Sequence, residues 1–205
     1  MIHPPVIRGG VLLRWAALVV GLALFAFGIV LLLEAGLGLP PWDVLNQGIS
    51  DRTALSFGTA NILIAFVVLV GAWALGARIG PGTVANAVLI GLLVDALLAV
   101  ESIQELGDAS LAVRVGLLVA GIAVIGVGSG LYIGADLGAG PRDSLMLVLA
   151  RRSHVRIGIV RGALEAGVAV LGFALGGTVG IGTLAFVLGI GPAVELAFAA
   201  LVALG

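Results

Sequence analysis

The chain has 205 residues, of which 61% are hydrophobic and only 10% are charged, and its formal net charge is −1. About 25% of the residues of a soluble domain are charged, so this composition excludes an ordinary water-soluble domain and indicates a surface that faces lipid. The charge gives no reason to expect a nucleic-acid partner, because phosphate binding needs a basic surface. A chain without cysteine has no disulfides and no thiolate ligands.

The first apolar stretch begins near Val11 and continues to about Leu33. It is longer than the apolar region of a signal peptide, although Arg8 precedes it, so we expect an uncleaved first helix. Five further stretches have similar lengths, enough to cross a hydrocarbon core of about 30 Å at about 1.5 Å per residue. The six predicted spans are 11–33, 58–79, 83–100, 112–133, 157–176 and 182–204.

The last three spans repeat the first three. When residues 11–105 are aligned with residues 111–205 without a gap, 28 of the 95 positions are identical. Self-similarity at a fixed offset indicates a duplicated unit. We predict one integral membrane domain made of two repeats, residues 1–105 and residues 106–205. Each span is predicted to be a helix, because isolated strands would leave backbone groups unpaired in lipid and no barrel-type alternation is present.

A short motif recurs between the first and second span of each repeat, as GLGLPPWDVL at 36–45 and DLGAGPRDSL at 136–145. Glycines allow the backbone to turn sharply, and proline suits the first position of a helix. We therefore predict short helices at about 42–50 and 142–150. The second is apolar on all sides, which favours a half-helix that dips into the protein. The predicted turn residues are Gly38, Pro41, Gly138 and Pro141.

Three spans per repeat is an uneven number, so the second repeat enters the membrane from the opposite side. The predicted fold is an all-α membrane protein of six transmembrane helices, arranged as two inverted three-helix repeats, each with a short Pro-initiated half-helix between its first and second span. The arginines favour the bacterial plasma (inner) membrane with both termini in the cytoplasm. Arg52 and Arg114 would lie outside, and eight would lie inside: Arg8, Arg14, Arg78, Arg142, Arg151, Arg152, Arg156 and Arg161.

Asp43 and Asp143 occupy equivalent places, two residues after the proline of each motif. Each carboxylate either caps the first turn of its own helix or takes part in binding a substrate or a proton. Trp42 is either an interfacial anchor or part of the same site. Its counterpart is Arg142, so the function of Trp42 is not shared by the two halves.

Asp95 and Glu195 are also equivalent, and each lies about 19 Å into its predicted helix by the helical rise. A carboxylate at such depth needs a partner, water or a proton. We consider the two a pair for proton coupling or cation binding; the alternative is that both helices end early and the acids lie at the level of the lipid headgroups. Arg161 and Glu165 are four residues apart and are predicted to form a structural ion pair.

At GLGLPPWDVLNQGIS the chain resembles the YczE-like family of small bacterial membrane proteins, which is related to the YitT-type group. A Gly-x-x-Pro-Trp-Asp signature carries the resemblance, which extends over essentially the whole chain. The second half departs from the signature where Arg142 replaces the tryptophan. The family implies an integral plasma-membrane protein and brings no settled substrate or mechanism. The signature residues are Gly38, Pro41, Trp42 and Asp43.

The predicted function is a small secondary transporter or exporter of a small metabolite or ion, with Asp43 and Asp143 at the ends of the pathway and Asp95 or Glu195 as coupling groups. An enzyme is not expected, because no catalytic triad, metal-ligand set or cofactor motif can be assembled. The short chain suggests a homodimer. The alternatives are a substrate-binding membrane subunit of a larger transport complex and an accessory membrane protein that carries no solute.

Overall fold

Residues 6–7 and 10–204 are described by the computed structural model, and Arg8, one of the predicted inner arginines, lies outside this part. The described residues form nine α-helices and a 3-10 helix at Glu105–Asp108, with no strand among them. The helices are α1 Val11–Ala35, α2 Pro41–Arg52, α3 Phe57–Ala74, α4 Pro81–Leu98, α5 Glu101–Gln104, α6 Leu111–Gly134, α7 Pro141–Ser153, α8 Ile157–Ala174 and α9 Ile181–Leu204.

Six of these helices, α1, α3, α4, α6, α8 and α9, are long and apolar enough to cross a membrane. The six predicted spans are therefore confirmed as helices. The predicted end of the second span at residue 79 is wrong, because α3 ends at Ala74. Gly76 follows in the left-handed region with a φ of 86°, and the next N–H donates to the carbonyl of Ala72. Glycine permits this conformation, and the resulting turn closes the helix.

The short helices α2 and α7 begin at Pro41 and Pro141, and each extends a few residues beyond the predicted end. Gly38 and Gly138 precede them with φ values of 111° and 126°, so glycine is required at both turns. Each short helix packs mainly against a long helix of the other half of the chain, α2 against α8 and α7 against α3. The two halves are therefore interlocked.

The most extensive helix–helix contact in the described part of the molecule joins α1 and α6, which run antiparallel. The Nε of Arg14, near the start of α1, donates to the carbonyl of Ala135 just after the end of α6, at 2.7 Å. Arg114, near the start of α6, donates in the same way to the carbonyl of Ala35 at the end of α1, also at 2.7 Å. Each arginine therefore satisfies a carbonyl that a helix end leaves without an intrahelical partner.

Glycines allow the backbones of α1 and α6 to approach closely at two points. A Cβ on Gly21 would lie 2.7 Å from the carbonyl oxygen of Gly128, and a Cβ on Gly28 would lie 2.9 Å from that of Gly121. Residues 21 and 121, and residues 28 and 128, are 100 positions apart. The two contacts are thus the same contact made once from each half, as are the two arginine caps.

The loops before α2 and α7 repeat this relation. The carbonyl of Leu37 accepts from the N–H of Gly182 at 2.7 Å, and the carbonyl of Leu137 accepts from the N–H of Gly82 at 2.9 Å. Each loop of one half therefore lies against the start of the last long helix of the other half. The halves differ in the packing of their second and third long helices. In the first half, α3 packs along α4, whereas in the second half α8 makes no extended contact with α9.

We predict that Gly21→Ala destabilises the protein by about 1–3 kcal/mol, the usual cost of adding a methyl group to a filled contact. The two nearest atoms that the new Cβ would meet belong to the backbone of α6 and cannot rotate away. Thermal unfolding in detergent, followed by circular dichroism, measures the effect.

Gly116→Ala is the matched control for Gly21→Ala. It adds the same methyl group to α6 at a position with nothing within 4 Å. If the two variants unfolded at the same temperature, the close crossing of α1 and α6 would be contradicted.

Candidate functional site

A cavity of about 360 Å³ lies at the centre of the helices, and every helix except α5 contributes to its lining. The starts of both short helices border it, so the two copies of the repeated motif meet at one place. Phe25, Phe186 and Tyr132 contribute aromatic surface. Six charged side chains also line the cavity: Asp43, Asp143, Glu165, Glu195, Arg142 and Arg161.

Asp43 belongs to a buried polar cluster that joins α2, α3 and α7. Its side chain is almost fully buried, with the residue 1% exposed. The Nδ2 of Asn46 donates to its Oδ1 at 3.0 Å, and a guanidinium nitrogen of Arg142 lies 3.6 Å from the same oxygen. The Oδ1 of Asn61 accepts from Arg142 at 2.8 Å and from Asn46 at 3.0 Å. A buried carboxylate needs such a cation and donor, because its water has been removed.

Trp42 and Arg142, which occupy equivalent positions in the two halves, meet in space. The guanidinium carbon of Arg142 lies 5.1 Å from the centre of the tryptophan ring, within the range of a cation–π contact. Trp42 is half-buried and lines the cavity. Its ring is therefore part of the site lining, which the interfacial-anchor alternative did not include.

Asp143 has a different environment from Asp43, because its Oδ2 accepts from the Tyr132 hydroxyl at 2.9 Å. The ring of Tyr132 packs edge-on against Phe25, with 6.2 Å between ring centres. Neither Asp43 nor Asp143 accepts a hydrogen bond from a backbone N–H of its own helix in the described part of the chain. The structure thus shows no self-capping hydrogen bond, although both carboxylates lie in the first turn of their own helices, where a negative charge complements the helix dipole.

The remaining charged groups of the lining come from α8 and α9. The Nε of Arg161 donates to Glu165 Oε1 at 2.8 Å, one helical turn apart, and both face the cavity. Glu195 lines the cavity from α9 and makes no hydrogen bond or ion pair with any residue that the structure describes. Asp95, its equivalent in the first half, does not line the cavity. Its carboxylate instead accepts from the N–H of Gly58 at 2.8 Å.

Sequence reasoning identified all six charged residues of the lining but missed Tyr132, which lines the cavity, and Asn46, which donates to Asp43. Tyr132 donates to Asp143 and Asn46 donates to Asn61, each on another helix, which spacing along one helix cannot reveal. One signal was available, since Tyr132 is the only tyrosine of the chain and lies in an apolar helix. A buried tyrosine hydroxyl usually needs a hydrogen-bond partner.

Six long apolar helices around a central cavity with charged side chains in its lining define a helical membrane protein. The chain belongs to DUF6198, a family of unknown function whose profile matches residues 12–198. It is 38% identical over 178 residues to an "Uncharacterized protein" of Haemophilus influenzae, covering 87% of this chain and 80% of that protein. It is 33% identical over 175 residues to the "Uncharacterized membrane protein YczE" of Bacillus subtilis, covering 84% and 79%. The predicted resemblance to YczE-like proteins is thus confirmed, and no solved structure matches the chain.

We predict that Arg142→Gln destabilises the protein by about 3 kcal/mol, because it leaves the buried Asp43 carboxylate without its cation. Adding Asp43→Asn to that variant removes the uncompensated charge and restores part of the loss. A double-mutant cycle, measured as unfolding in detergent, isolates the interaction. If the effects of the two single substitutions simply added, the buried ion pair would not exist as described.

Proposed function

We propose that this protein is a small secondary transporter, and that the central cavity binds a small solute that carries a positive charge. The observation that carries the proposal is the composition of the cavity lining, in which four carboxylates face two guanidinium groups. At about 360 Å³, the cavity falls within the usual range for small-molecule sites, about 300–1,000 Å³.

The pairing of these charges indicates the sign of the solute. Arg142 neutralises Asp43, and Arg161 neutralises Glu165. Asp143 has only a neutral hydroxyl as its hydrogen-bond partner, and Glu195 has none among the described residues. Uncompensated carboxylates among apolar helices are costly. A solute with a protonated amine would remove part of that cost, which is a source of binding energy.

A pair of inverted three-helix repeats, residues 1–105 and 106–205, supplies the architecture for transport. The duplicated contacts support this part of the proposal, since the Arg14 and Arg114 caps and the glycine crossings are each made once from either half. Inverted-repeat transporters bind their substrates near the bilayer midplane, beside broken helices. In this protein α2 and α7 would be those half-helices, entering from opposite sides.

The proposed location is the bacterial plasma membrane, with both termini in the cytoplasm. The arginine distribution supports this orientation through the positive-inside rule. The loop between α7 and α8 would then lie in the cytoplasm with Arg151, Arg152 and Arg156. The separation of α8 from α9 would open the cavity toward that side, and Asp95 would lie near the outer end of α4. The structure would therefore correspond to an inward-facing state.

We predict that proteoliposomes containing the purified protein accumulate small primary amines at least tenfold faster than carboxylic acids of the same size. Asp143→Asn with Glu195→Gln should lower amine uptake at least tenfold, because it removes the two lining carboxylates that form no salt bridge with a described residue. Uptake with and without an imposed pH gradient tests proton coupling.

Asp51→Asn is the matched control for that double variant, since Asp51 is an exposed acid of α2 outside the cavity. Its uptake should equal that of the parent protein. Amine binding without uptake would indicate a binding subunit instead of a transporter. Equal rates for amines and acids would contradict the proposed charge of the solute.

A further inference from the structure

The two equivalent carboxylates, Asp95 and Glu195, are in different states. Asp95 Oδ1 accepts from the N–H of Gly58 at 2.8 Å, in the first turn of α3, and the Ser56 hydroxyl donates to Asp95 Oδ2. A carboxylate at this place satisfies an unpaired N–H of the helix start and complements its dipole. Asp95 therefore fastens α4 to the start of α3.

The backbones of α3 and α4 meet beside this fastening. A Cβ on Gly58 would run into the carbonyl oxygen of Gly91, and a Cβ on Gly91 would run into that of Gly58. Glycine is needed at both positions because the helices touch there. The closed pair α3–α4 thus consists of a glycine contact and a carboxylate on a helix N-terminus.

The second half contains the equivalent residues, but they do not make the equivalent contacts. Gly158 and Gly191 are the equivalents of Gly58 and Gly91, and the space where their Cβ atoms would stand is empty to 4 Å. Glu195 reaches no partner among the described residues, and α8 stands apart from α9. Apart from proline, glycine is the residue that least favours a helix. The interior of α9 thus carries a glycine, Gly191, that no neighbouring atom in this arrangement makes necessary.

We infer that Asp95 and Glu195 are alternating latch residues, each of which closes its own pair of helices in one of two conformations of the protein. In the second conformation α8 closes on α9, with Glu195 on the N–H of Gly158 and on the Arg156 side chain, which replaces Ser56. Asp95 is then released, and α3 separates from α4. This inference goes beyond the proposed transport function, although it gives that function a means of exposing the cavity to each side in turn.

The interlocked short helices connect the two latches. Arg52, at the end of α2, donates to the carbonyl of Leu175 at the end of α8 at 2.7 Å, and Gln47 accepts from the N–H of Thr178, also at 2.7 Å. These two hydrogen bonds attach α2 to the end of α8, so we expect α2 to move with that end. It meets α7 through Arg142 and Asp43, and α7 packs against α3. A displacement of α8 toward α9 is thereby transmitted to α3 through packed elements.

Cysteine cross-linking tests the inference directly, because the chain has no cysteine of its own. The pair Ser56→Cys with Asp95→Cys reports closure of α3 on α4, and Arg156→Cys with Glu195→Cys reports closure of α8 on α9. We expect oxidation of the membranes to cross-link the 56–95 pair in the first variant and the 156–195 pair in the second. Cross-linking of the first pair alone would overturn the inference, since the asymmetry would then be permanent.

The exchange has a further signature, measured on the second pair. Adding Asp95→Asn weakens the closed α3–α4 latch, so it should raise the rate at which the 156–195 pair cross-links at least threefold. Asp51→Asn, which changes an exposed acid that makes no hydrogen bond or ion pair with a described residue, should leave that rate unchanged. An unchanged or slower rate with Asp95→Asn would contradict alternation.

Spin labels at exposed positions keep the inference testable if those variants fold poorly. Ile159→Cys on α8 and Leu196→Cys on α9 replace exposed side chains and leave both latches intact. Their distance distribution should show a longer and a shorter population, and Asp95→Asn should increase the shorter one. A single unchanging distance would overturn the inference. No solute is required, so this failure is distinguishable from a failure of the transport assay.

Discussion

The close antiparallel crossing of α1 and α6 is the contact on which the rest of the structure depends. Within a membrane, apolar side chains gain little by leaving lipid for one another, so two helices associate through close packing and through satisfied polar groups. Glycines supply the first at two points along the crossing. Arg14 and Arg114 supply the second, because each donates to a carbonyl at the end of the partner helix. The loops that lead into α2 and α7 leave directly from these fixed ends, which sets where both short helices begin.

Because α2 and α7 begin from opposite ends of this crossing, their polar first turns converge on the centre of the molecule. Trp42 of one meets Arg142 of the other, and Asp43 is buried beneath that pair. A charge that is buried there requires a partner, because lipid does not solvate it. Asp43 and Glu165 have such partners, whereas Glu195, which is exposed where α8 and α9 stand apart, has none among the described residues. The unpaired carboxylate of Glu195 is the basis of both the proposed positive charge of the solute and the proposed latch.

The sequence was sufficient to predict the six long helices and the starts of the two short ones, because hydrophobic length and prolines such as Pro41 act locally. It was insufficient to predict the contacts between the two halves. The partner of Asp43 is Arg142, 99 positions along the chain, and no helical spacing relates them. Local reasoning therefore left self-capping and a binding role open. Nor could the repeat predict that α3–α4 is closed while α8–α9 is open, since Gly58 and Gly158 read alike in both copies.

Inversion of the two halves is the central claim of this account, and sided labelling tests it most directly. Thr53 follows α2 and Ser153 ends α7, and both are exposed equivalents in a chain without native cysteine. With single cysteines at these positions, a membrane-impermeant thiol reagent applied to intact cells should label residue 53 at once. Residue 153 should be labelled only after the membrane is permeabilised. Labelling of both positions from the same side would contradict the inverted arrangement.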